Sequence, residues 1–256
     1  MTSHWKVAVA GGLGGTVLAV AIVFGLVNTG ILRTGGDEAI HNYLIAHPEV
    51  LIEMSNRLQV QQQQAEDAAR QAAVDKLGLK AFFNPKIAFI TGPKNAKHTF
   101  VEFSDYNCPF CRASNPTVET FYRKHKNDTR FAFIEFPIKG MNSIAVARLA
   151  LAARKQPDKY LEYHFALMRE SAEADPAAAV AIAKEVGLNL KKLQADERDP
   201  SIEATIAAGR ALGDAANIDG TPAFIINGTI REGTLTDTAL NAVLKSKTTH
   251  AGPDRS

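Results

Sequence analysis

VEFSDYNCPFCR, residues 101–112, places two cysteines three positions apart where an apolar strand-like run gives way to a helix-like one. Cys108 and Cys111 are the only cysteines among 256 residues, so a pairing this tight is a poor match to chance. Proline is favoured at the first position of a helix, where its missing N–H costs nothing. Pro109 there makes Cys108 the N-cap. Its sulfur is then expected to face the free N–H groups of Phe110 and Cys111. Those donors and the helix dipole favour a thiolate over a thiol, and the thiolate is the nucleophile of disulfide exchange. Cys111, one turn deeper, is placed to attack a mixed disulfide on Cys108 and release the partner. The spacing therefore assigns attack to Cys108, open to visiting proteins, and resolution to Cys111.

Two other uses of a CxxC pair compete. A metal site needs further ligands, and His98 and His125 reach the pair only by folding back. A purely structural disulfide gains little from closing so short a loop. A redox pair is the reading the context favours, with no metal and no cofactor.

Composition narrows the rest. Apolar residues make up 46% and charged residues 22%, which fits a folded chain of one or two domains. Lys plus Arg is 29 against 27 for Asp plus Glu, a net charge of +2, so no electrostatic footprint for nucleic acid exists. Two cysteines exclude both a disulfide-stapled mini-protein and a four-thiolate zinc site.

Upstream, Val7 to Leu32 carries no charge and is flanked by Lys6 and Arg33. About 20 apolar residues cross a bilayer as a helix. The rival reading, a secretory signal, needs a small-x-small cleavage site, which Leu26 to Thr29 do not supply. The expectation is an uncleaved single-pass anchor with the bulk of the chain outside the cytoplasm, although flanking charges are nearly balanced. Asp37 to Leu77 reads as helix divided by Pro48, which restricts His47. Leu51, Met54, Leu58, Gln61, Ala65, Ala68 and Ala72 alternate steps of three and four, an a/d seam suited to pairing with copies of itself through residues 48–77. The competing reading packs that helix on its own domain.

Downstream the texture becomes strand and helix alternation. Lys86–Ile90 and Thr99–Phe103 are β-rich runs joined by a turn at Gly92–Asn95. A helix is expected from Pro109 to His125, bent at Pro116, then a strand at Arg130–Phe136. Helical pattern fills Ser143–Ala216, broken at Pro157, Pro176, Gly187 and Pro200. Strands at Ala223–Asn227 and Thr229–Glu232 and a helix capped by Thr236 end the fold, before a loose tail from Lys245. Tyr106, Phe110 and Phe136 are candidates for apolar surface beside the thiols, with at least one of them core.

Val101–Arg112 resembles the DsbA-type branch of the thioredoxin superfamily, and Gly220-Thr221-Pro222-Ala223-Phe224 resembles its cis-proline loop. The segment Ile40–Met54, IHNYLIAHPEVLIEM, is similar to the N-terminal part of ScsC-like proteins, the suppressor-of-copper-sensitivity relatives of the bacterial envelope, some of which oligomerise through this region. The resemblance implies an α/β thioredoxin-like fold with a helical insertion, which the transmembrane helix and helical stalk read above would precede. The boundaries it implies are an anchor over 1–36, a stalk over 37–80, a first thioredoxin half over 81–142, the insertion over 143–216, a second half over 217–246 and a tail over 247–256. Pro222 is then the cis-proline packed on Cys108 and Cys111. Thr221 offers backbone groups to an extended substrate, with Pro109 and Phe110 also facing it. Glu102, on the strand beneath, relays the proton of Cys111, unless it merely faces solvent at an edge.

The function implied is a membrane-anchored, periplasm-facing thiol-disulfide oxidoreductase of the bacterial inner membrane. Its partners would be unfolded or misoxidised exported proteins and a membrane redox partner. An oxidase needs no stalk, whereas an isomerase gains from several sites held together, and a threonine before the cis-proline leans that way. The alternative is a holdase chaperone or a copper-binding module that uses the cysteine pair as ligands. A membrane scaffold with a decayed enzyme domain is disfavoured by the two thiols and Pro222.

Overall fold

The computed structural model describes residues 36–170 and 172–245. The candidate membrane span at 7–32 and the tail at 246–256 lie outside them. Among the described residues no helix is long and apolar enough to cross a membrane.

The chain divides into two compact units, one ending at Gln64 and the other starting at Ala65. In the first unit, α1 (Gly36–Ala46) stops just before Pro48, and α2 (Glu49–Leu77) starts just after it. Apolar side chains of this unit face outward: Ile45 and Leu51 are each 71% exposed, and Ile40, Ile52, Met54, Leu58 and Val60 are exposed too. The seam positions Leu51, Met54, Leu58, Gln61, Ala65, Ala68 and Ala72 are all exposed. Within the second unit the last turns of α2 bury Arg70 and Val74 instead. Arg70 pairs with Glu232 at 3.1 Å and donates to the Asn217 carbonyl at 3.3 Å, while Gln71 bridges Gly228 and Ile230.

After α3 (Leu79–Phe82), strands β1 (Phe89–Thr91) and β2 (His98–Ser104) lead into α4 (Pro109–His125) and β3 (Thr129–Glu135). The turn at Gly92–Asn95 does not make β1 and β2 neighbours. Their separator is β3, parallel to β2 and antiparallel to β1. The physical reason is the β2–α4–β3 crossover: the helix returns the chain so that β3 lies parallel beside β2, which leaves β1 the outer edge. Helix α4 runs unbroken through Pro116.

Five helices make the insertion: α5 (Met141–Ala153), α6 (Pro157–Met168), α7 (Pro176–Glu185), α8 (Leu190–Asp196) and α9 (Ser201–Ala215). Pro157 and Pro176 stand at first helical positions, and Asp175 caps α7 by accepting from the Ala178 N–H at 2.8 Å. Gly209 lets α9 lie against the end of β3, since a Cβ there would sit 2.9 Å from the Glu135 carbonyl oxygen. β4 (Ala223–Ile226), β5 (Thr229–Glu232) and α10 (Asp237–Lys245) complete the chain, and Thr236 Oγ1 accepts from the Ala239 N–H at 3.2 Å.

The sheet order is β1-β3-β2-β4-β5, so β2 is central. Val101 and Phe103 point to one face, with Ala132, Ile134, Ala223, Ile225, Phe82 and Val74. Phe100 lies on the other, with Phe131, Phe133, Phe224 and Phe121. Glu102 belongs to this second face by alternation and is 2% exposed, so it does not face solvent at an edge.

Candidate active site

Helix α4 starts where the sequence places Pro109, so Cys108 is the N-cap, with φ −84° and ψ 118°. The Thr221–Pro222 peptide bond is cis and brings the Thr221 carbonyl oxygen to 3.0 Å from the Cys108 sulfur, which donates to it as a thiol. Both cysteines are free and buried. The sequence expectation of an open nucleophile is therefore corrected: Cys108 is 0% exposed because the loop at Thr221 lies against it. Thr221 Oγ1 is itself buried with no hydrogen-bond partner.

The two thiols differ sharply. Donation from the Cys111 thiol holds Cys108 down at about 5, and the first-turn N–H groups of Cys111 and Phe110 add to this against burial. The first-turn donors assist, but the neighbouring thiol is the larger cause, and Cys108 makes no side-chain cap hydrogen bond. Burial drives Cys111 far above the ordinary thiol range, and its bond to Cys108 adds to that. The Asp105 N–H, 3.5 Å from Cys111 Sγ, opposes the shift. Of the two thiols, ionisation at neutral pH is thus confined to Cys108, while Cys111 stays a thiol.

Glu102 is raised to about 8, first by burial and then by the negative charge of Glu135. Its charge in turn raises Cys111, so the two groups sense each other. A carboxyl poised near neutrality can both give and take a proton at working pH.

Of the three aromatic candidates, Phe110 is 60% exposed, whereas Tyr106 and Phe136 are buried in the core. Met141 is also exposed at the start of α5. Asp105, which sequence reasoning passed over, ties that segment to the thiol loop. Its carboxylate accepts from the N–H groups of Asn107 (2.7 Å), Ile138 (2.7 Å) and Lys139 (2.9 Å) and from the Ser143 hydroxyl (2.8 Å). An acid directly after an apolar strand and three residues before the first cysteine was the available signal.

Among the described residues no group of three or more His, Cys, Asp or Glu could hold a metal ion. His98 contacts Asn227 at 3.2 Å and His125 contacts Asp128 at 3.1 Å, so neither approaches the thiols as a ligand.

The thioredoxin family model matches residues 84–246, and that of the copper resistance protein ScsC N-terminal domain matches 37–65. A thioredoxin-like oxidoreductase from Silicibacter pomeroyi is 35% identical, with a TM-score of 0.60 over 65% of this chain and 95% of its own. The catalytic domain of Proteus mirabilis ScsC is 27% identical, with a TM-score of 0.60 over 68% and 96%. The thiol:disulfide interchange protein DsbA of Bordetella parapertussis is 28% identical over 130 residues, 50% of this chain and 62% of the relative. The chain also matches the Na(+)/H(+) antiporter NhaA 1 of Salinispora arenicola, at 27% identity over 64% of this chain, but spans only 25% of that relative. The chain belongs to the thioredoxin family, and it is similar to DsbA-like and ScsC-like members of that family.

Proposed function

We propose that the chain forms or rearranges disulfides in exported proteins, with its redox unit facing the periplasm and residues 7–32 anchoring it in the bacterial inner membrane. One observation carries the chemistry: an acidic thiol at the mouth of α4 beside a buried, strongly disfavoured thiolate, with Thr221–Pro222 against the first. In the oxidising direction a client thiolate attacks Cys108 of the Cys108–Cys111 disulfide. Cys111 leaves with the electron pair and takes a proton from Glu102. The client's second thiolate then attacks the client sulfur of the mixed disulfide, and Cys108 leaves as a stable thiolate. The dithiol returns its two electrons to a membrane redox partner. In rearrangement, the Cys108 thiolate attacks a wrong disulfide, and Cys111 frees a client that stalls once Glu102 has given up its own proton and can take that of Cys111.

A client strand displaces the cover over Cys108 and pairs with the backbone at Thr221. Pro109 and exposed Phe110, with Met141, receive its apolar side chains. The exposed seam of α2 supports self-association through residues 48–77, since about 25 cal/mol per Å² of apolar surface is recovered when such a stripe meets a copy. Several sites held together favour rearrangement over simple oxidation.

The test is insulin reduction and scrambled-ribonuclease refolding by a fragment starting near Asp37, with its solution mass. Isomerase activity from an oligomer supports this reading. Fast oxidation of reduced clients by a monomer would replace it with an oxidase, and inactivity in both assays would end it.

A further inference from the structure

Two acids are buried on the thiol side of the sheet, and only Glu102 enters the exchange described above. Glu135 closes β3 on the same face. The parallel register sets Glu102 opposite Phe133 and Ser104 opposite Glu135, so the carboxyls are diagonal neighbours. Glu135 Oε1 accepts from the Tyr106 phenol (3.1 Å), the Tyr160 phenol (3.1 Å) and the Arg154 guanidinium (3.4 Å). Arg154 is anchored in turn on the carbonyl oxygens of Ile87 and Phe133, at 2.8 and 3.0 Å. Burial pushes the Glu135 carboxyl up, and the Arg154 charge with three donors on one oxygen pulls it back toward the carboxylate. The second oxygens, Glu102 Oε2 and Glu135 Oε2, are both buried without a partner. Packing alone gives no reason for that cost, because Phe131 and Phe133 fill the same face with apolar rings.

We propose that Glu135 is a positioning residue of the redox site: a fixed negative charge, held by Arg154, Tyr106 and Tyr160, that acts on Cys111 through Glu102. The inference deepens the exchange reading and rests on it. With one carboxylate already on this face, a second is costly, so Glu102 keeps its proton until Cys111 departs as a thiolate. The proton then moves from the Glu102 carboxyl to the Cys111 sulfur, and the negative charge passes from sulfur to Glu102. The charged and titratable groups around the pair are Cys111 from α4, Asp105 and Tyr106 from the thiol loop, Arg154 from α5, and Tyr160, Tyr163 and His164 from α6. His164 meets the Tyr106 hydroxyl at 2.9 Å, and burial keeps its imidazole neutral, so it adds no charge.

The test is a 13C NMR titration of glutamate carboxyls in the reduced full chain in detergent micelles. Glu135→Gln is expected to lower the Glu102 midpoint by about one pH unit or more. Glu135→Asp, which keeps the charge, is expected to leave it near the wild-type position. An unmoved midpoint in Glu135→Gln overturns the proposal, and so does an equal fall in both variants. If Glu135→Gln does not fold, the wild-type titration decides: Glu135 ionised at neutral pH while Glu102 is still protonated supports it, and a protonated Glu135 there overturns it. A chain that shows the shift yet exchanges no disulfides would sink the proposed function and leave the carboxyl coupling supported.

Discussion

The two faces of β2 obey the same alternation and serve different ends. One face sets Val101 and Phe103 among Ala132, Ile134, Ala223 and Ile225, with Arg130 laid over the Phe83 ring on the same side and, among the described residues, no acid in contact with the thiols. The other carries Phe100, Glu102 and Ser104, and next to them on β3 Phe133 and Glu135. Burying apolar surface on the first face stabilises the fold. Burying two carboxyls on the second opposes it and is tolerated because Arg154, Tyr106 and Tyr160 partly compensate. Chemistry and stability are thus segregated across one strand, and four experiments can break or sharpen that division.

The largest effect is expected at the chemical side. Cys108→Ser should lower the insulin-reduction rate at least about a thousandfold, and at neutral pH it should lower the urea midpoint of the reduced protein as well, because a thiol held at about 5 stabilises the folded chain once ionised. A midpoint that stays in place at neutral pH would mean that the thiol is no more acidic folded than unfolded. On the opposite face, Phe103→Ala should cost about 3–5 kcal/mol in urea unfolding and leave the acidity of Cys108 in place. A shifted thiolate absorbance in that variant would show that the two faces are not independent.

The pH dependence of stability follows from Glu102. Its folded value, about 8, lies above the ordinary 4.5, so the folded chain binds more protons between those limits. Its contribution is fully present below about 4.5 and is lost as pH rises through about 8. Glu102→Gln should remove that loss and make the protein more stable than wild type at pH ~9, by several kcal/mol at most. Unfolding midpoints measured across this window check it, and a variant whose decline matches wild type would place the titration elsewhere. The smallest change is expected at the rim. Phe110→Ala should move stability by no more than about 0.5 kcal/mol while raising the KM for an unfolded client. A large loss of stability would mean that Phe110 packs inward.

Much of this was legible beforehand, and the exceptions share a cause. Helix α4 begins and ends at Pro109 and His125 as the sequence reading placed it, because proline and a basic last turn mark those ends locally. The turn at Gly92–Asn95 left the pairing open, since turn chemistry reports that the chain bends but not which strand fills the neighbouring slot. Arg70 escaped notice because its partners Glu232 and Asn217 lie about 150 residues away in sequence. Glu135 read as one acid ending an apolar strand. Only the parallel register with β2 sets it beside Glu102.

By itself, the sequence determined the cysteine that caps α4, its partner one turn deeper and the X–Pro bond at Thr221–Pro222, because N-cap, first-turn and X–Pro preferences act over a few residues. The tertiary structure decided how acidic those thiols are, that Cys108 is covered, and which acids share their face. Those properties depend on burial and on charges brought together across strands, and such distances are set by the folded sheet rather than by neighbours along the chain.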